Sequence, residues 1–494
     1  MQRARQTKLN IAIALFHQVV TAVSGLILPR FMMLYYGSEA NGLIQSIVQI
    51  LKYTTLLECG IGGMVLAAMY KPLADNDMPV LSGIFNGTKK FFDRISLVFV
   101  GFALLMCVGV KLIVSTEFDF VYTAALVAVL ALDTYFNYYF GITHILLLKA
   151  DHKLYIVQTV QIITIILNLI ISVVIMKLDG PLHIVKGASA FVFLINAITW
   201  RYYVKHHYRI DRNEKATALP EKKNGIIHHL SYFIHRNTDI VIVSAVLGVI
   251  NASIYSVYNA VILVIENLLI SISSGVSGAI GNMLAKEEND TLENSFNIYE
   301  AVNTFMTMAI STVAAILIIP FVKIYTNGVT DAVYEQPVFA YIMIAAAIMY
   351  CIRIPYGMVV NSAGHYKQTR TGAIFEAVIN LVLSLVLVNL WGLSGVAFGT
   401  FAAMTYRTFY TVVYLSRNIL NRPSRHFIIS LTVNLLACIA CVWASGKYII
   451  SADSLFELII EGIKVSAIVI PLFAVVNLFL INKKIFKINR RNLL

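Results

Sequence analysis

Apolar runs long enough to cross a bilayer recur along almost the whole of this 494-residue chain. They lie near 9–30, 41–68, 92–113, 121–148, 154–176, 184–204, 228–249, 253–281, 298–322, 338–361, 371–391, 394–415, 427–446 and 457–481. A spanning helix needs about 20 residues, and hydrocarbon offers the backbone no partner except its own segment or a closed barrel. Runs of this length therefore fold as helices. The composition agrees, with 59% hydrophobic and 13% charged residues, where a soluble domain carries about a quarter charged. The expected class is an all-α integral membrane protein with about 14 transmembrane helices. The first run holds His17 and Gln18 and ends in "LPRFMM" without a small-residue cleavage site, so it reads as a retained helix.

The formal charge of +12 would suggest nucleic acid in a soluble chain, but the placement of the charges gives another reason. Alternating the loops puts 27 of the 38 basic residues on the side of both termini and six on the other. That asymmetry is the positive-inside signal, so both termini are expected in the cytoplasm and no nucleic-acid partner is expected. Five cysteines all lie in apolar stretches. "CIAC" at 438–441 lacks partner ligands, and buried thiols explain it better than a metal or redox site.

The most basic loop, "RYYVKHHYRIDRNEKATALPEKKNG" at 201–225, divides an internal repeat. It reads as a solvated linker, with anionic headgroups as a second reading. At an offset of 215, Gly60, Gly63, Lys71 and Asp75 coincide with Gly275, Gly278, Lys286 and Asp290. "NLIIS" at 168–172 matches "NLVLS" at 380–384, and "TWRYY" at 199–203 resembles "TYRTF" at 405–409. The offset spans six helices, so the halves keep one orientation, as in transporters built from parallel repeats. The expected organisation is a six-helix lobe over 1–204, a cytoplasmic basic linker over 205–226, a second six-helix lobe over 227–416, and two further helices with a basic tail over 417–494.

A charge at the bilayer centre costs about 2.5–3.5 kcal/mol on insertion scales, and such residues usually face an interior cavity. In "SYFIHRNTDIVIVSAVLG", 231–248, counting a full span back from Gly248 places His235, Arg236 and Asp239 inside the membrane. Arg236 and Asp239, three apart, share a helix face. They form either a self-neutralising pair or an anion site in which the carboxylate holds the guanidinium. Lys52 and Glu58 in span two, Asp133 in four, Glu266 in eight, Arg353 in ten and Glu376 in eleven are the other intramembrane charges. Arg30 closes span one. Glu266 sits in a Ser/Gly-rich stretch suited to close packing or a hinge, and Arg353 precedes Pro355 and Gly357. Arg407 matches Arg201 near a helix end and is expected to snorkel. "DTYFNYYFGITH" at 133–144 offers groups for sugar contacts or for interhelical hydrogen bonds.

No P-loop, HExxH or GxSxG pattern is present, so the reading is a non-enzyme without cofactor or metal. Energy is expected from a Na+ or H+ gradient, the membrane potential or the substrate gradient.

"LPRFMMLYYGSEANGLIQSI" at 28–47, "NTDIVIVSAVLGVINASIYSVYNAV" at 237–261 and "NSAGHYKQTRTGAIFEAVINLVLSLVLV" at 361–388 resemble the multidrug/oligosaccharidyl-lipid/polysaccharide exporter superfamily. The likeness is to its Wzx-type polysaccharide and lipid-linked oligosaccharide flippases, and it covers nearly the whole chain. It implies two pseudo-symmetric six-helix bundles in a V shape around a hydrated cavity, with two extra C-terminal helices. It implies translocation of an undecaprenyl-pyrophosphate-linked glycan across a bacterial plasma membrane, with a polysaccharide polymerase as a partner. Pyrophosphate would be held by Arg236, Arg30, Lys52 and Arg353. Asp239, Glu58, Asp133, Glu266 and His235 remain for the cavity and ion coupling. The absence of Asp or Glu from span one counts against the drug-extruding branch. A peptidoglycan-precursor flippase and an ion-coupled multidrug exporter stand as alternatives.

Overall fold

The computed structural model describes the backbone of residues 2–58, 60–217, 226–420, 422–446 and 452–482, and their side chains except at 2–8, 11, 226–232, 234–236, 274 and 482. These residues form fifteen α-helices and no strand. In the first half they are α1 (Gln2–Leu51), α2 (Ile61–Asp75), α3 (Met78–Ile113), α4 (Phe120–Phe136), α5 (Ile142–Ala150), α6 (Leu154–Lys177) and α7 (Leu182–His207). The rest are α8 (Ile226–Val246), α9 (Val249–Ala285), α10 (Asn289–Tyr325), α11 (Pro337–Ser362), α12 (Tyr366–Trp391), α13 (Leu393–Asn418), α14 (Arg425–Ser445) and α15 (Leu455–Asn482).

Eleven helices among the described residues are long and apolar enough to cross a membrane. The first of these, Ala12–Glu58, is two passes, because Gly37 takes φ 82° and breaks α1. That left-handed backbone costs a side-chain-bearing residue strain that glycine escapes. Counting that helix twice and adding α8 and the more polar α13, the described residues offer fourteen candidate passes, in agreement with the count read from apolar length. Two passes are interrupted. A 3-10 turn, Lys52–Glu58, separates α1 from α2, and a π-turn, Asn137–Gly141, joins α4 to α5.

The chain divides into two compact units, one of residues 1–230 with 247–253, the other of 231–246 with 254–494. In the first, α6 packs on α1 and α7, and α4 on α3 and α7. Its loops gather at two ends. At one, the Tyr36 hydroxyl donates to the Gly180 carbonyl, and the Glu39 carboxylate accepts from Thr116 and from the Glu117 amide. At the other, Tyr208 donates to Asp151, which also pairs with Lys153 at 2.8 Å. The second end carries the basic loops. The turn residue Gly248 has φ 85°, and Val249 after it donates to the Ser115 carbonyl. A Cβ on Gly42 would fall 1.7 Å from the Val249 carbonyl oxygen, so only glycine admits this crossing of backbones.

The described start of the basic linker is largely exposed, and it is also hydrogen-bonded to α3. Asp211 and Thr217 donate backbone N–H groups to the Ser82 hydroxyl and the Gly83 carbonyl, and the Asn86 amide donates to the Asp211 and Glu214 carbonyls. Glycines 83 and 87 of α3 let this stretch of linker lie against the helix, since a Cβ on Gly87 would sit 2.2 Å from the Thr217 carbonyl oxygen. Residues 218–225 lie outside the described residues.

In the second unit α13 packs on α11 and α12, and α10 on α11. The C-terminal pair α14 and α15 lies on α10, with the Asn477 amide donating to Asn434 across their contact at 3.1 Å. The repeat is visible in burial. Asn168 and Ser172 in α6 and Asn380 and Ser384 in α12 are all buried.

Candidate functional site

Several polar side chains of these helices are bonded to each other inside each unit. Asp239 in α8 is 4% exposed and is enclosed by three other helices. Tyr255 of α9 and Thr400 of α13 donate to its Oδ2 at 3.0 and 2.6 Å. Asn380 of α12 donates to Thr400 at 2.9 Å and reaches Asp239 Oδ1 at 3.4 Å. The Asn380 carbonyl oxygen is buried and accepts no hydrogen bond. Ser384, one turn on, donates to the Val396 carbonyl. A buried carboxylate is thus surrounded by oxygen-bearing neutral groups and has no cation beside it among the described residues. Oxygen ligands of this kind suit a hard monovalent cation or a proton.

A second cluster holds more positive than negative charge. Glu376 of α12 accepts from Arg353 of α11 at 2.7 Å and faces Arg407 of α13 at 3.4 Å. Arg407 also donates to the Thr369 carbonyl, and its guanidinium lies over the Tyr410 ring as that of Arg353 lies over Tyr350. Arg407 is therefore not a snorkelling residue. Its head turns inward because a carboxylate and a helix carbonyl await it there. A third cluster joins Glu300 of α10, Tyr356 of α11 and Arg422. The guanidinium meets Glu300 at 2.7 Å and Tyr356 at 3.1 Å and donates to Asn297.

In the first unit, Arg30 is half-buried and makes no hydrogen bond or ion pair among the described residues. Lys52 is exposed at the start of the 3-10 turn and donates to Gln49 at 3.2 Å. At the far end of that turn, Glu58 accepts from Tyr138 at 2.7 Å. The phenol belongs to the π-turn, whose extra residue re-aims the ring, so Tyr138 makes the interhelical hydrogen bond that "DTYFNYYFGITH" offers. Tyr135 and Tyr139 of the same stretch stack on each other at 5.7 Å. Asp133 is exposed and bonded to no described side chain, and Glu266 is buried. The side chains of His235 and Arg236 lie outside the described residues.

The structure thus brings Arg353 together with Glu376, and Asp239 with Tyr255, Asn380 and Thr400. Arg30 and Asp133 join neither group. Glu300 and Arg422 escape a reading of the sequence because Arg422 falls in a loop and Glu300 at a span's edge. The partners of Asp239 are partly signalled, since Asn380 opens the repeated "NLVLS".

No family model matches the chain, and no curated protein matches it. Solved structures do. One described as the lipid II flippase MurJ, in an inward closed conformation, superposes with a TM-score of 0.69 at 15% identity, covering 94% of this chain and 98% of its own. An inward-facing multidrug resistance MATE family transporter of the MOP superfamily gives 0.61 at 12% identity, covering 82% and 98%. The MATE multidrug transporter DinF-BH gives 0.60 at 16% identity, covering 83% and 95%. The chain shares its fold with these solved transporter structures.

Proposed function

We propose that this protein is a flippase carrying an undecaprenyl-pyrophosphate-linked oligosaccharide from the cytoplasmic to the outer leaflet of a bacterial plasma membrane, for surface polysaccharide synthesis. A sugar–pyrophosphate headgroup cannot cross hydrocarbon unaided, because its charges and hydroxyls would lose their water. Cationic side chains within the passes replace that water, and alternating access presents them to each side in turn.

Arg30 carries the reading. It lies seven residues before the Gly37 turn, about 10 Å along the helix, with no described carboxylate beside it. A guanidinium at that depth is costly unless it meets water or an anion, and its planar donors match two phosphate oxygens. Lys52 and Arg236 are proposed as further pyrophosphate contacts. Arg353 belongs with them through the excess charge of its cluster, in which one carboxylate serves two guanidiniums. Asp239 is proposed as the coupling group for a proton or Na+.

Replacing Arg30 or Arg236 by Ala tests this. Surface polysaccharide should be lost and the lipid-linked precursor should accumulate, as in a deletion strain. Unchanged polysaccharide together with raised drug sensitivity would favour an ion-coupled multidrug exporter instead. A second reading, a peptidoglycan-precursor flippase, is favoured by the coverage of this chain, 94% by the lipid II flippase against 82% and 83% by the two MATE structures. Rescue of a strain depleted of its lipid II flippase would select it.

A further inference from the structure

The first unit contains a cavity of about 340 Å³ between the first pass of α1, its second pass beyond Gly37, α6 and α7. Thr21, Ser24, Gln45, Asn168, Lys186 and Phe193 are among its lining residues. Asn168 stands where the second half has Asn380, and Lys186 puts an ammonium beside open space.

The open side is equipped for a ligand. Lys186, in the second turn of α7, makes no hydrogen bond or ion pair among the described residues. Neither do Thr21, Ser24 and Gln45. Hydroxyls on membrane helices ordinarily bond back to a carbonyl one turn earlier, as Thr159 and Thr199 do in this unit; Thr21 and Ser24 do not. A lysine that merely snorkelled would leave those three polar groups unexplained. Gly25, between them, has nothing within 4 Å of the place a Cβ would take.

We propose that this cavity binds a hydroxylated monocarboxylate the size of one acidic sugar, with Lys186 as its counter-ion. Charge balance selects the carboxylate. A phosphate monoester carries about −1.5 to −2 at neutral pH, and one ammonium would leave it half-neutralised in a low-dielectric site. A carboxylate is matched one to one. The amides and hydroxyls suit sugar hydroxyls, and Phe193 offers a face for the ring. The volume lies at the small end of the roughly 300–1,000 Å³ typical of ligand pockets, enough for a single unit. The choice of a sugar rests on the flippase reading, whereas the cationic cavity does not.

The test is calorimetric titration of the purified full-length protein with D-glucuronate, D-glucose and D-glucose 6-phosphate at fixed ionic strength. Glucuronate should bind saturably and at least about tenfold more tightly than either other sugar. Lys186→Met should weaken it by about tenfold or more, and Lys186→Arg by only a few-fold. Gly25→Leu, which fills the cavity without touching the charge, should abolish binding and serves if Lys186→Met does not fold. No saturable glucuronate binding, wild-type affinity in Lys186→Met or in Gly25→Leu, or tighter binding of the phosphate would each overturn the proposal. If it falls while Arg30→Ala still abolishes polysaccharide export, the flippase reading stands without this site.

Discussion

Glu376 is the one carboxylate between Arg353 and Arg407, so its loss leaves two like charges in a buried site. Removing one partner of a buried ion pair typically costs about 3–5 kcal/mol. Glu376→Gln should therefore lower the thermal midpoint of the purified protein clearly, measured by fluorescence in detergent. Arg407→Met should cost less, because Arg353 still neutralises the carboxylate. Equal midpoints for wild type and Glu376→Gln would mean that water, not the glutamate, screens the arginines. Arg353 and Glu376 are legible in the sequence as intramembrane charges, but their pairing is not. Charge inside an apolar run is conspicuous, whereas a partner 23 residues away on another helix depends on how helices rotate about their axes. Arg407 misleads for the same reason, since sequence position gives its depth but not the carboxylate opposite it.

Helix number and order are legible because membrane thickness sets the length of each apolar run, a constraint that acts on sequence directly. The breaks are less so. Gly37 and Gly248 sit at matching turns, but the 3-10 turn at Lys52–Glu58 and the π-turn at Asn137–Gly141 leave no apolar signature. The linker reads as solvated because its composition is basic, yet it is held by backbone atoms lying over Gly83 and Gly87. Gly87→Val should lift residues 208–217 from α3, since its side chain would displace the Thr217 carbonyl. Overpacking of this kind costs about 1–3 kcal/mol. Limited proteolysis within 208–217 should become at least about tenfold faster while the membrane helices stay protected. Unchanged cleavage would show that the side-chain bonds from Asn86 and Ser82 hold the linker alone.

Two halves related by a repeat need not do the same chemistry, and Asp239 in the second half has no acidic counterpart in the first pass of α1. Asp239 takes hydrogen bonds from Tyr255 and Thr400 yet has no counter-ion among the described residues, and the Asn380 carbonyl oxygen beside it has no donor. An exchangeable ion or proton that neutralised this carboxylate would leave a signature in stability. Binding to the native state stabilises it by RT ln(1 + [L]/Kd), about 2.7 kcal/mol at a hundredfold excess over Kd. If Na+ is the ion, the thermal midpoint of the wild type should rise when choline is exchanged for Na+ at constant ionic strength. If a proton is, the midpoint should rise on acidification and not with Na+. Asp239→Asn preserves the shape and the neighbours while removing the charge, so its midpoint should respond to neither, and cells relying on it should accumulate the lipid-linked precursor. An Asn variant that exports polysaccharide at the wild-type rate would place the energy source elsewhere, in the membrane potential acting on the cations or in the substrate gradient itself.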